Sequence, residues 1–151
     1  PRDQETAQEF LFSTRYACVG CGVNIVEIEP RTFSFNSPYG ACPVCEGFGV
    51  GSKESRTPCP RCHGARLKKE SLAIRLEDKN IHDMVEMPIG HFSEWLTSLP
   101  LQGNKMTIAE PLVREICSRI HFLKDVGLGY LSLGRSAESL SGGELQRVKL
   151  A

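Results

Sequence analysis

Cys42-Pro43-Val44-Cys45-Glu46-Gly47-Phe48-Gly49 decides how the first half of this 151-residue chain folds. It reads C-x-x-C-x-G-x-G, and Cys59-Pro60-Arg61-Cys62-His63-Gly64 repeats its C-x-x-C-x-G part. A C-x-x-C turn offers two sulfurs to one metal ion, and the glycines that follow permit the tight backbone beyond it. Cys18 and Cys21 form a third such pair, so six of the seven cysteines are paired in this way. In a chain that opens with no signal-peptide pattern, such pairs point to metal rather than to disulfides. A redox dithiol would require a thioredoxin-like βαβ context, which the pattern does not contain.

Four thiolates close a tetrahedral structural zinc site, so three pairs leave one over. Spacing permits Cys18/Cys21 with Cys42/Cys45, across a 20-residue loop, and Cys42/Cys45 with Cys59/Cys62, across 13 residues. The shared C-x-x-C-x-G form and the closed polar loop between the two turns favour the second. His63 can compete as a ligand but reads better as an exposed neighbour. Cys117 lies beside an apolar helical stripe and reads as a core residue.

Working outward, Asp3–Phe12 can form a short helix, and Val23–Ile28 has the β-branched alternation of a strand. Pro30–Gly40 is loop-like, anchored by Phe33 and Phe35, and Val50–Thr57 is a polar linker. Leu72, Ile74 and Leu76 alternate, which predicts a strand over 71–77. Beyond Asn80 the period becomes helical. Asn80 caps a short helix through Met87, and Pro88 opens another carrying Phe92, Trp95 and Leu96. Ala109, Leu112, Val113, Ile116, Ile120 and Leu123 then mark the longest helix, with Pro111 near its start and Gly127 and Gly129 closing it.

The last helix opens at Leu140-Ser141-Gly142-Gly143-Glu144-Leu145-Gln146-Arg147. Ser141 caps it, and Glu144 can reach back to complete a capping box. The free N–H groups of the first turn lie at the positive end of the macrodipole, where an anion binds well. An ordinary, unliganded capping box is the plainer alternative. Val148-Lys149-Leu150-Ala151 continues this helix without a cap, so the chain is expected to be a piece of something longer.

The fold expected is α+β: a zinc-knuckle region with short strands over 1–78, then a helical subdomain over 79–151. Formal charge is zero, so no global basic field draws the chain to nucleic acid. A local patch at Arg56, Arg61, Arg66, Lys68 and Lys69, around the Cys59/Cys62 knuckle, would contact phosphates rather than read bases. A solvated surface is the bland alternative. No apolar run approaches the roughly 20 residues of a membrane span, and a cytoplasmic setting is expected.

Taken together, three stretches resemble the UvrA family of ABC-type ATPases in bacterial nucleotide excision repair. They are Thr32–Gly49 (TFSFNSPYGACPVCEGFG), Cys59–Leu67 (CPRCHGARL) and Leu131–Arg147 (LSLGRSAESLSGGELQR). The last contains LSGGE in place of the commoner ABC signature LSGGQ, and the order of pieces is similar to the first of the family's two signature domains. The resemblance implies a helical ABC-signature subdomain, in which Ser141, Gly142, Gly143, Glu144 and Gln146 contact ATP bound on another module. It implies zinc shared by Cys42, Cys45, Cys59 and Cys62, with Cys18 and Cys21 as further metal-binding candidates whose partners lie in an upstream segment. It also implies damaged double-stranded DNA, UvrB and a second UvrA copy as partners of the full-length protein, and no membrane.

Three departures accompany the likeness. No Walker A loop or Walker B carboxylate is present, so this piece is not expected to be an ATPase alone, and ATP and Mg²⁺ belong to the full-length protein. The family's long insertion between the Cys42/Cys45 and Cys59/Cys62 knuckles is reduced to the linker at 50–57. Of the UvrB-binding insert, residues 1–16 are at most a remnant. A DnaJ-type zinc chaperone module also uses C-x-x-C-x-G-x-G, but with four repeats and without LSGGE. A free-standing zinc nucleic-acid binder is the third reading.

Overall fold

The computed structural model describes residues 27–52 and 57–150. The helix expected at 3–12, the knuckle at Cys18 and Cys21, nearly all of the 23–28 strand and Arg56 lie outside the described residues. Contacts divide the chain into two compact units, with the division between Ser71 and Leu72.

The first unit has a small core of Ala41, Ala65 and Leu67 around four buried cysteines. Its order comes from a two-fold repetition rather than from a sheet. After Cys45, positive φ angles occur at Glu46, Gly47 and Gly49; after Cys62 they recur at His63, Gly64 and Arg66. Cys42 N–H donates to the Arg66 carbonyl and Cys59 N–H to the Gly49 carbonyl, both at 2.9 Å. The pairs Ala41–Leu67 and Val50–Pro58 extend each contact by one antiparallel bridge. Each knuckle thus closes the backbone of the other. Gly47 admits no side chain, since a Cβ there would sit 2.0 Å from the Phe35 carbonyl oxygen.

Residues 71–77 correct the strand expected there. Lys69–Ala73 forms helix α1, and only Arg75–Leu76 (β1) is extended, paired antiparallel with Lys79–Asn80 (β2). Alternation at Leu72, Ile74 and Leu76 was ambiguous over so short a run. Ser71, buried and donating its hydroxyl to the Thr32 carbonyl at 2.7 Å, fixes the segment instead.

The second unit is helical. Asn80 caps α2 (Ile81–Glu86) by accepting from the His82 and Asp83 N–H groups, and Asp83 returns a bond to the Asn80 N–H. Pro88 precedes α3 (Ile89–Thr97), which packs on α4 (Asn104–Asp125). Ile89, Phe92, Leu96, Ile120, Leu128 and Leu131 form the core, flanked by Val113, Cys117, Leu123 and Leu140. Cys117 is partly buried and packs against this core. The stripe itself is rotated from the expected one: Leu112 is 60% exposed and Ile116 38%. Pro111 is inside α4 rather than near its start, because the helix begins at Asn104 on turns whose apolar residues, Met106 and Ile108, are exposed and off the core-facing stripe. Gly127, at φ 77°, ends α4, and its N–H bonds back to the Lys124 carbonyl. The returning segment then lies along the start of α3, through Ile89 N–H to Leu131 O at 2.8 Å and Gly90 N–H to Gly129 O at 3.0 Å. It leads into α5 (Gly142–Leu150).

Candidate metal centre and signature turn

The four sulfurs of Cys42, Cys45, Cys59 and Cys62 lie within 4.8 Å of one another, and all four residues are buried. Cys42 and Cys59 Sγ are 4.0 Å apart, and Cys45 and Cys62 Sγ 3.6 Å. A tetrahedron with metal–sulfur bonds of about 2.3 Å has edges of about 3.8 Å, so the observed spacings bracket what a zinc ion needs. They are far beyond a disulfide bond of about 2.05 Å. Supporting donors are in place, with the Gly49 N–H 3.3 Å from Cys45 Sγ. Donation from the Cys62 N–H lowers the Cys59 thiol to about 7, whereas burial pushes Cys62 up to about 12. Bound metal would hold these sulfurs as thiolates, releasing the protons that the metal-free thiols carry. Of the two pairings left open by spacing, the structure brings together Cys42/Cys45 and Cys59/Cys62. Cys18 and Cys21 lie outside the described residues. His63 is exposed and is not among the clustered ligand atoms.

The basic residues divide. Arg61 and Lys69 are exposed. Arg66 instead donates from Nε to the Gly47 carbonyl at 2.7 Å and lies over the Phe35 ring at 3.5 Å. Lys68 donates to the Pro38 carbonyl at 2.7 Å. Both fasten the 35–47 segment to the second knuckle, a role that sequence reading missed. Aligning the two knuckles would have singled out Arg66, which falls in the register of Gly49, but not its partners or those of Lys68.

At the start of α5 the expected capping box forms. Ser141 Oγ accepts from the Glu144 N–H at 3.3 Å, and Glu144 Oε2 accepts from the Ser141 N–H at 2.7 Å. Its other oxygen accepts from the Tyr130 hydroxyl at 2.7 Å and faces Arg135 at 3.5 Å. These donors, Tyr130 foremost, hold the Glu144 carboxyl down at about 2. Glu144 is only 7% exposed and its carboxylate faces inward, whereas Ser141, Gly142, Gly143 and Gln146 are exposed. Tyr130 and Arg135 carried no sequence signal, since neither stands at a helical spacing from Glu144. Among the described residues, a Cβ at Gly142 or Gly143 would meet nothing within 4 Å, and neither glycine has a positive φ.

These features define a class: a four-cysteine knuckle unit joined in one chain to a helical unit bearing a capped Ser-Gly-Gly-Glu turn. No protein-family model matches the chain. UvrABC system protein A of Aquifex aeolicus is 33% identical over 242 aligned positions, covering 97% of this chain and 26% of that protein. The same protein of Pseudomonas putida is 29% identical over 262 positions, covering all of this chain and 28% of the relative. The crystal structure of UvrA2 from Deinococcus radiodurans superposes with a TM-score of 0.64 at 34% identity, over 79% of this chain and 14% of that one. The chain belongs to the UvrA family and spans about a quarter of the length of the curated relatives it matches. The alignments run well beyond 151 positions, so within the aligned span the relatives carry residues that this chain lacks.

Proposed function

We propose that the chain is the zinc-knuckle and signature portion of a UvrA-type, DNA-damage-recognising ATPase of nucleotide excision repair. Cys42, Cys45, Cys59 and Cys62 are the residues that would hold zinc, which in an all-thiolate structural site supplies cross-linking and no reaction chemistry. The knuckle residues orient one another through the reciprocal Cys42–Arg66 and Cys59–Gly49 bonds and so hold Arg61 and Lys69 on a fixed surface. Those two side chains, with Arg56, would contact DNA phosphates. ATP and Mg²⁺ would be held on another module of the longer protein, together with UvrB and a second copy as partners.

The observation that carries the reading is the pair Gly142 and Gly143. Glycine at a helix start costs backbone entropy, and neither backbone angle nor packing among the described residues requires it here. Space kept open beside the first N–H groups of a helix suits an approaching phosphate. The Ser141 hydroxyl accepts from Glu144 but still has its proton to donate. Gly143→Leu in the full-length protein should cut ATP turnover by at least an order of magnitude, the scale of a lost oxyanion contact. Unchanged turnover would contradict the signature role. A gel-shift comparison of lesion-bearing and undamaged duplex separates this reading from a chaperone module, which should prefer neither.

A further inference from the structure

We propose that Tyr130 and Arg135 are positioning residues for the signature turn, acting through Glu144 to fix where the Ser141 hydroxyl and the Gly142 and Gly143 N–H groups stand. This rests on the signature reading above and adds residues outside the LSGGE string. Glu144, itself buried, is the centre of a fork whose other arms, Tyr130 and Arg135, are exposed. One carboxylate oxygen takes the Ser141 N–H at 2.7 Å, and the other takes the Tyr130 hydroxyl at the same distance. Arg135 faces that second oxygen at 3.5 Å. It also binds the Ser139 carbonyl at 2.8 Å and the Ser139 hydroxyl at 3.1 Å, gripping the segment that leads into Ser141.

The consequence is a division of labour within Ser-Gly-Gly-Glu. A carboxylate with its oxygens spent on Ser141, Tyr130 and Arg135 would bring like charge toward a phosphate if it swung outward, and would abandon three donors to do so. Held inward, it keeps its charge away from the nucleotide side and pins the turn from behind. Tyr130 anchors this fork to the returning segment, beside core residues Leu128 and Leu131. The turn is therefore set by the helical core rather than by its own cap alone. Of the four Ser-Gly-Gly-Glu residues, Ser141, Gly142 and Gly143 keep exposed atoms that can meet a ligand.

The test uses the full-length protein and separates positioning from folding. Tyr130→Phe keeps the ring and removes one hydroxyl. It should lower kcat for ATP roughly two- to tenfold, the value of one hydrogen bond, with ATP binding at the other module unchanged. Adding Tyr130→Phe to Glu144→Ala should cost nothing further, because the fork is already broken. Glu144→Gln, which keeps an acceptor, should recover part of what Glu144→Ala loses. In the isolated chain, Tyr130→Phe should speed hydrogen exchange of the Ser141 amide without unfolding α5. Wild-type kcat and Ser141 exchange in Tyr130→Phe would overturn the proposal, as would full additivity with Glu144→Ala. Gly143→Leu is the control: if it too leaves turnover intact, the signature reading fails and takes this inference with it. If Gly143→Leu abolishes turnover while Tyr130→Phe does nothing, only the fork is wrong.

Discussion

Arg66 sits at φ 66°, in the register that Gly49 occupies in the first knuckle. A non-glycine residue there costs roughly 1–2 kcal/mol, and the Gly47 bond and Phe35 stacking offset it. Arg66→Ala should therefore destabilise the knuckle unit by about 1–2 kcal/mol in urea titration. Arg66→Lys should not restore it, because an ammonium cannot stack and donate in the same plane. Arg61→Ala should leave stability unchanged and lower the salt slope of DNA binding by about one. Equal effects of the two substitutions on stability would contradict this assignment. Glu144 sets a pH dependence with a definite sign. Its carboxyl is held at about 2, below the ordinary 4.5, so its stabilisation is complete above about 4.5 and is lost as pH falls toward 2. The protection of the Ser141 amide, taken relative to its intrinsic exchange rate at each pH, should fall as pH drops through that window, and Glu144→Gln should flatten the profile.

Among the elements, local chemistry was legible and long-range chemistry was not. The Asn80 cap, the Pro88 break, the Gly127 stop and the Ser141–Glu144 box all follow from residues within one turn of each other, and all form. The pairing of Cys42/Cys45 with Cys59/Cys62 was favoured by their common form, which reflects a repeated backbone path. What failed depended on partners distant in sequence. Ser71 is held by Thr32, and the rotation of the α4 stripe is set by α3 and Leu128. Leu128 is fully buried, and Leu128→Ala should cost about 2–5 kcal/mol by thermal or urea unfolding of the helical unit. Gly143→Ala should do the opposite in the isolated chain, stabilising α5 by about 0.5–1 kcal/mol because no backbone constraint requires glycine. A stability gain alongside a loss of ATP turnover in the full-length protein is the expected signature of a glycine kept for a ligand.

For the molecule as a whole, the contrast lies in what each unit has for a core. The helical unit buries Ile89, Phe92, Leu96, Ile120, Leu128 and Leu131, whereas the described knuckle unit buries little besides Ala41, Ala65, Leu67 and its cysteines. A unit so poor in apolar volume needs cross-linking, and the four converging thiols are where it would come from. Chelation should therefore collapse the amide dispersion of residues 40–67 in NMR spectra, while the near-ultraviolet signal of Trp95, stacked on Phe92, persists. The most direct test is zinc K-edge absorption on protein purified without added metal, with Cys42→Ser as the control. The account predicts zinc surrounded by four sulfurs at about 2.3 Å, with one sulfur lost from the shell in the variant. An absence of zinc, or a shell dominated by nitrogen and oxygen and unchanged by Cys42→Ser, would contradict it.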